Sequence, residues 1–174
     1  MKKLNKNVIV ATILVLSAVL LRIIFNKLQM WNFSPITAMA LFAGYAYHDK
    51  RFSFIIPLSA MFISDLIIGL HDGMLVVYAV LCMATLIGIY VSGKQVAHIL
   101  AGSIISSVLF YLVTNLVIWY GPELYAQNWD GQIESYIAAL PFFQSSLVSD
   151  LIFTAIFISA FELIRRGETA TERA

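Results

Sequence analysis

Residues 8–25 read VIVATILVLSAVLLRIIF, an apolar run broken by one charged side chain, Arg22. An α-helix rises about 1.5 Å per residue and a bilayer core is about 30 Å thick, so the run suffices for nearly a full crossing. Lys2, Lys3 and Lys6 precede it, as in a secretory signal. The run is longer than the core of a signal, however, and Arg22 and Lys27 stand where a small-x-small cleavage site would fall. It therefore reads as a retained first membrane span.

The same texture recurs along the chain. With the first span at about 8–25, others are expected at about 30–47, 52–70, 74–91, 96–120 and 141–163. The second puts Pro35 at a first-turn position just after Ser34, where the missing N–H has no helical partner to lose. Residues 121–140 are the only long connection, an outer loop in which Gln132 to Leu140 could form a short surface helix. The expectation is an all-α polytopic membrane bundle of about six transmembrane helices, one domain over residues 1–174. Composition agrees. The chain is 60% hydrophobic and 12% charged, with a mean hydropathy of +0.86, whereas a soluble domain carries about 25% charged residues. A globule of this size could not hide so much apolar surface. A net charge of +1 without a basic stripe argues against nucleic acid as a partner. The lone cysteine, Cys82, rules out an internal disulfide framework and a multi-cysteine metal site.

Basic residues set the direction. Lys50 and Arg51 lie between spans two and three, Lys94 between four and five, and Arg165, Arg166 and Arg173 after span six. Counting six spans puts all of them on the side of Lys2, Lys3 and Lys6. The opposite connections hold Asp72, Glu123, Asp130 and Glu134, with Lys27 alone among bases. The positive-inside rule then predicts both termini in the cytoplasm, in a bacterial inner membrane.

Charge inside a span is the first chemical signal, because a bare charge at mid-bilayer costs at least about 2.5–3.5 kcal/mol. Arg22, Asp65 and Asp150 are so placed. Counting rise per residue, Arg22 lies about 21 Å from the inner start of its span, Asp65 about 20 Å up its own, and Asp150 about 14 Å down from the outer end. The three thus share a depth, and Arg22 is expected to pair with one or both aspartates. Such a buried charge network serves either assembly or a substrate or proton path. Ser64-Asp65-Leu66-Ile67 and Ser149-Asp150-Leu151-Ile152, three spans apart, hint at an inverted repeat of the kind found in transporters.

Polar striping is the second signal. Ser103, Ser107, Tyr111 and Asn115 recur every four residues, with Thr114 beside them, and Ser145, Ser146, Ser149, Asp150 and Thr154 share a face of span six. Such faces avoid lipid. Serines there commonly let helices approach each other, whereas Asn115, one turn before Trp119, suits a ligand. The outer side also gathers Trp31, Trp119, Trp129, Tyr120, Tyr125 and Tyr136. An aromatic belt explains any one of these. Together with nearby amides they suggest an outward-facing pocket for a small molecule, with Asn32, Phe33, Asn115, Trp119 and Tyr136 as candidate ligand-binding residues. Ala40 and Gly44 form a small-xxx-small step that packs within the bundle or docks a partner membrane protein. His48, His71 and His98 are too far apart in depth for a metal cluster, and no phosphate loop or nucleophile elbow occurs. No enzyme activity, metal or cofactor is expected, and any ATP coupling must come from another chain.

Asn32-Phe33-Ser34-Pro35-Ile36 with Ala40-Leu41-Phe42-Ala43-Gly44 resembles the opening of a family of small bacterial six-span membrane proteins labelled as transport proteins of unknown function. Pro57-Leu58 with Ser64-Asp65-Leu66, Thr114-Asn115 with Trp119, and Pro141-Phe142-Phe143 with Ser149-Asp150-Leu151 extend the resemblance over roughly Arg22 to Glu162. Size and layout are similar to the S components of energy-coupling-factor transporters, which bind vitamins at the outer face and join an ATPase module through small residues. That similarity is architectural. It implies a small-molecule substrate held in contact with membrane lipid, a separate ATPase and transmembrane coupling module as partner, and Ala40 and Gly44 as docking residues. The competing expectation is a scaffold that transports nothing and organises other membrane proteins.

Overall fold

A computed structural model describes residues 6–30, 32–120 and 124–171, with side chains described for 8–30, 32–120 and 124–165. Lys2, Lys3, Trp31, Glu123 and Arg173 lie outside the described residues, as do the side chains of Lys6 and Arg166. The described chain is all-helical: α1 (Lys6–Lys27), α2 (Ile36–Ala46), α3 (Lys50–Ile68), α4 (Met74–Val91), α5 (Val96–Tyr120) and α6 (Trp129–Thr171). Five of these, all but α2, are long and apolar enough to cross a membrane. Their outer faces carry exposed large apolar side chains such as Leu20, Ile67, Leu86 and Ile152, while Ser64, Thr85, Ser107 and Thr154 are buried. That arrangement reverses the pattern of a water-soluble globule and suits lipid outside and polar packing within.

The second expected span is the first correction. Helix occupies only Ile36–Ala46, 11 residues or about 16 Å, half a bilayer core. Gln29 and Asn32 adopt a left-handed backbone, both with φ of 56°, and Pro35 cannot donate to a preceding turn. The described residues between Leu28 and Pro35 are therefore irregular, and Phe33 packs edge-on against Phe25 (ring centroids 5.3 Å apart) and Phe153 (6.2 Å). Irregular backbone at membrane depth is tolerable where protein surrounds it. α2 is so surrounded. Thr37 through Gly44 are all buried, and the helix packs on all five others.

The closest approach is between α2 and α4. A Cβ added to Gly44 would sit 2.1 Å from the Thr85 carbonyl oxygen, and one on Gly88 2.0 Å from that of Leu41. Both positions require glycine because the two backbones touch. Ala40, one turn before Gly44, is fully buried with Met61, Leu81 and Ala84. The small-xxx-small step thus serves packing inside the bundle, and neither Ala40 nor Gly44 presents a surface to a partner.

The second correction concerns the outer connection. α6 begins at Trp129 and runs for 43 residues, so most of the stretch expected as a loop over 121–140 is helix continuous with the last span. Asn128 caps it. Its side-chain oxygen accepts from the Gly131 N–H at 2.9 Å, three residues on. At about 64 Å the helix is twice as long as a bilayer core is thick. Pro141 lies within it and leaves the Ile137 carbonyl without its helical N–H.

The connections sort to two ends. The Ser92 hydroxyl donates to the Tyr45 carbonyl (2.9 Å), and the Tyr45 hydroxyl to Glu162 (2.6 Å). These bonds gather the α2–α3 and α4–α5 connections and the late turns of α6. Lys50, Arg51, Lys94 and Arg165 belong to that end, and Arg165 pairs there with Glu162 at 2.7 Å. Asn32, His71 and Tyr125, from the other three connections, meet around one cavity.

Candidate functional site

The buried charges form two centres instead of one network. In the first, Arg22 of α1 reaches Asp65 of α3, with Nη2 and Oδ1 2.5 Å apart. Asp65 is fully buried, whereas the arginine side chain is 13% exposed. The Tyr78 hydroxyl of α4 donates to the other carboxylate oxygen at 2.6 Å. Arg22 also donates to the Ser64 hydroxyl, whose own proton points to the Met61 carbonyl (2.7 Å). Both carboxylate oxygens are engaged and three helices are tied together, so the centre has the character of a structural joint.

The second centre is Asp150 of α6. Its Oδ1 accepts from the Ala38 N–H at 3.3 Å and its Oδ2 lies 2.7 Å from the Ser107 hydroxyl of α5. Ala38 is the third residue of α2, and Pro35 supplies no side-chain cap. The first N–H groups of a helix are left without internal partners and carry partial positive charge. Asp150 therefore caps the buried start of α2 from another helix, in the position that a substrate carboxylate takes at a broken helix in some transporters. Arg22 was expected to serve one or both aspartates; the geometry joins it to Asp65 and leaves Asp150 to α2 and α5. The two Ser-Asp-Leu-Ile segments each bury their aspartate and expose their isoleucine, but the carboxylates have different partners.

Beside the second centre lies a cavity of about 470 Å³ between α4, α5 and the early turns of α6. Such a volume falls within the usual range for small-ligand sites. α5 contributes Ser107, Phe110, Tyr111, Thr114 and Asn115, and α6 contributes Ser135, Phe142, Phe143 and Ser146. Val76 and Val77 of α4 close a third side. Ser107 is its deepest residue on α5, about 20 Å below the end of the helix at Tyr120. The lining includes no Asp, Glu, Lys or Arg. Among the described residues no group of three or more His, Cys, Asp or Glu could hold a metal ion.

A family model matches residues 2–171, nearly the whole chain. The chain belongs to DUF6580, a family of unknown function. No curated protein and no solved structure matches it.

In this DUF6580 protein, two of the five residues proposed to bind a ligand, Asn32 and Asn115, line the cavity. The other three are engaged elsewhere. Phe33 is stacked among Phe25 and Phe153. The Trp119 indole donates to the Ala126 carbonyl (2.9 Å) and the Gln127 amide to the Trp119 carbonyl (2.6 Å), which fastens the connection after α5. The Tyr136 hydroxyl donates to the Leu112 carbonyl at 2.8 Å, pinning α6 to α5. On the α5 stripe Ser107, Tyr111 and Asn115 line the cavity, while Ser103 bonds Thr154 across the α5–α6 contact (3.1 Å), the packing role expected of the stripe's serines. Ser135, Phe142 and Phe143 were not among the expected site residues, and Ser146 entered only as part of the polar face of span six. Their spacing is that of one helical face, visible only when 129–140 is read as one helix with the span from Pro141 onward.

Proposed function

We propose that this DUF6580 chain is a membrane transport protein that binds a small molecule in the cavity between α4, α5 and α6. The observation that carries the reading is the cavity itself, about 470 Å³ with aromatic walls and a few fixed polar atoms, inside a bundle of apolar helices. Basic residues at the opposite end make the face bearing Asn32, His71 and Tyr125 the outer one. The buried, capped start of α2 resembles the broken helices of transporters and supports the same reading. With no phosphate loop in its sequence, this protein would draw on a separate ATPase and coupling module, as an S component does, or on an ion gradient. Docking of such a module would use lipid-facing surface, because Ala40 and Gly44 are interior.

The test is a thermal-shift screen of the purified protein against a broad metabolite panel. At least one compound raises the unfolding midpoint saturably, and Asn115→Ala weakens that shift. If no compound in the panel shifts the midpoint while crosslinking in cells recovers one stoichiometric membrane partner, the protein is a scaffold and the transport reading is wrong.

A further inference from the structure

Hydrogen-bond accounting inside the cavity points to a class of ligand. The hydroxyl groups that line it, Tyr125 apart, have their protons directed into the protein. Tyr111 donates to the Tyr136 carbonyl at 2.7 Å and Thr114 to the Phe110 carbonyl at 2.6 Å. Ser135 donates to the Gln132 carbonyl at 2.8 Å and Ser146 to the Asn32 carbonyl at 3.1 Å. Asn115 commits one of its two amide protons to the Tyr111 carbonyl at 2.8 Å and keeps the other, with its carbonyl oxygen, for an occupant. The single proton of Ser107 has two acceptors, Asp150 at 2.7 Å and the Ser103 carbonyl at 3.0 Å, both within the protein. A hydroxyl that donates inward keeps acceptor lone pairs for whatever occupies the space beside it. Apart from that one Asn115 proton, the side chains with uncommitted donors, Asn32, His71 and Tyr125, come from the connections at the mouth.

Two further features act in the same direction. Phe110, Tyr111, Phe142 and Phe143 supply aromatic rings, whose faces attract cations. Behind Ser107 stands the Asp150 carboxylate, 1% exposed. Its oxygens have as partners the Ala38 N–H and the hydroxyls of Ser107 and Thr37, and neither described ion pair includes it. A cation in the cavity and the ionised form of this carboxylate stabilise each other across Ser107, because a low-dielectric site strengthens their attraction.

We infer that the cavity takes a small organic cation, a protonated amine carrying an apolar or aromatic body, with its ammonium group at the inner end beside Ser107. The inference rests on the cavity being a ligand site and adds the charge class of the occupant. An ammonium brings donors only, and the cavity offers hydroxyl acceptors and aromatic rings along its length, with one buried carboxylate behind Ser107 at its inner end.

Three probes of matched shape decide it at neutral pH, titrated against the full chain in lipid nanodiscs: 2-phenylethylammonium, 2-phenylethanol and phenylacetate. The ammonium binds about tenfold or more tightly than the alcohol, and phenylacetate is weakest. Asp150→Asn keeps an acceptor for the Ala38 N–H but removes the charge, and brings the ratio of ammonium to alcohol affinity close to one. Should that variant fail to fold, Phe110→Leu decides, lowering ammonium affinity more than alcohol affinity. Equal or tighter binding of the alcohol or of phenylacetate overturns the amine assignment and leaves the cavity reading intact. So does an ammonium preference that survives in folded Asp150→Asn. Binding of none of the three also overturns the assignment, whereas the cavity reading falls only if the broad metabolite panel yields nothing either.

Discussion

Removing Arg22 should destabilise this protein more than neutralising the aspartate it serves. In Arg22→Ala, Asp65 stays fully buried and loses its ion pair at 2.5 Å, the one it has among the described residues. The Tyr78 hydroxyl at 2.6 Å is then its one remaining donor. Stranding one member of a buried pair costs about 3–5 kcal/mol. Asp65→Asn is milder. The amide oxygen can still accept from Tyr78 or Arg22, and the arginine is 13% exposed, so it can turn partly toward the outer interface. The expected cost is about 1–3 kcal/mol, the range for one compromised buried hydrogen bond. The double change Arg22→Met with Asp65→Leu removes both charges and fills similar volume. Because a buried pair replaced by well-packed apolar groups is often neutral, the double variant should be more stable than Arg22→Ala. The assay is reversible denaturation in mixed micelles, followed by tryptophan fluorescence, with the three variants compared at one detergent composition. An Arg22→Ala stability within about 0.5 kcal/mol of the parent, below the cost of any lost buried bond, would refute the reasoning. So would a double variant no better than Arg22→Ala.

Gly88→Ala places a methyl group 2.0 Å from the Leu41 carbonyl oxygen; forcing α2 and α4 apart should cost about 1–3 kcal/mol or more, read as a lowered denaturation midpoint, whereas a parent-like midpoint would contradict the backbone contact. Asp150→Ala leaves the Ala38 N–H without its acceptor and should cost about 1–3 kcal/mol, with faster hydrogen exchange at the start of α2, while Asp150→Asn retains most of both. In a Cys82→Ala background, single cysteines at Asp72 and Gln127 should react with a membrane-impermeant maleimide applied to intact cells, and one at Gly93 should react only after permeabilisation; the reverse pattern inverts the assigned orientation.

Hydropathy located α4 and α5 with their ends, since 74–91 and 96–120 recur as helices, and placed α3 within two residues at each end. These segments face lipid on one side, and a run of apolar residues of bilayer length has few other uses. It misjudged α2 for a related reason. A half-length helix buried on all sides needs apolar residues as much as a lipid-facing one does, so Met30–Tyr47 looks like any span. Pro35 was visible, but the left-handed turns at Gln29 and Asn32, which divert the chain, leave no hydropathy signal. A helix over residues 132–140 was foreseen, but its continuity with the last span was hidden by Pro141, and its first turn by Asp130, Gln132 and Glu134, polar side chains that suit a helix end emerging from the membrane. Asn128 with Gly131 three residues later was the available cue, a cap without the hydrophobic face that usually makes one conspicuous. In the site, depth counting brought Arg22 and Asp65 together correctly, but it measures height along the normal and says nothing about which neighbours a helix faces. That is why Asp150 could be placed at the same level and yet belong to α2. Trp119 and Tyr136 illustrate the same limit. Both lie at the same end of the bundle as the cavity mouth, and their polar atoms are taken up by backbone carbonyls.

Occupation of the cavity is the central claim, and filling it is the most direct test. Ala139 lines the space on α6, and Ala139→Trp would put an indole into it. For a compound that stabilises the parent protein, equilibrium binding in nanodiscs should weaken by about a hundredfold or more in Ala139→Trp, equivalent to about 2.7 kcal/mol, with the denaturation midpoint of the ligand-free protein little changed. Undiminished affinity in the filled variant would place the ligand elsewhere and contradict the account.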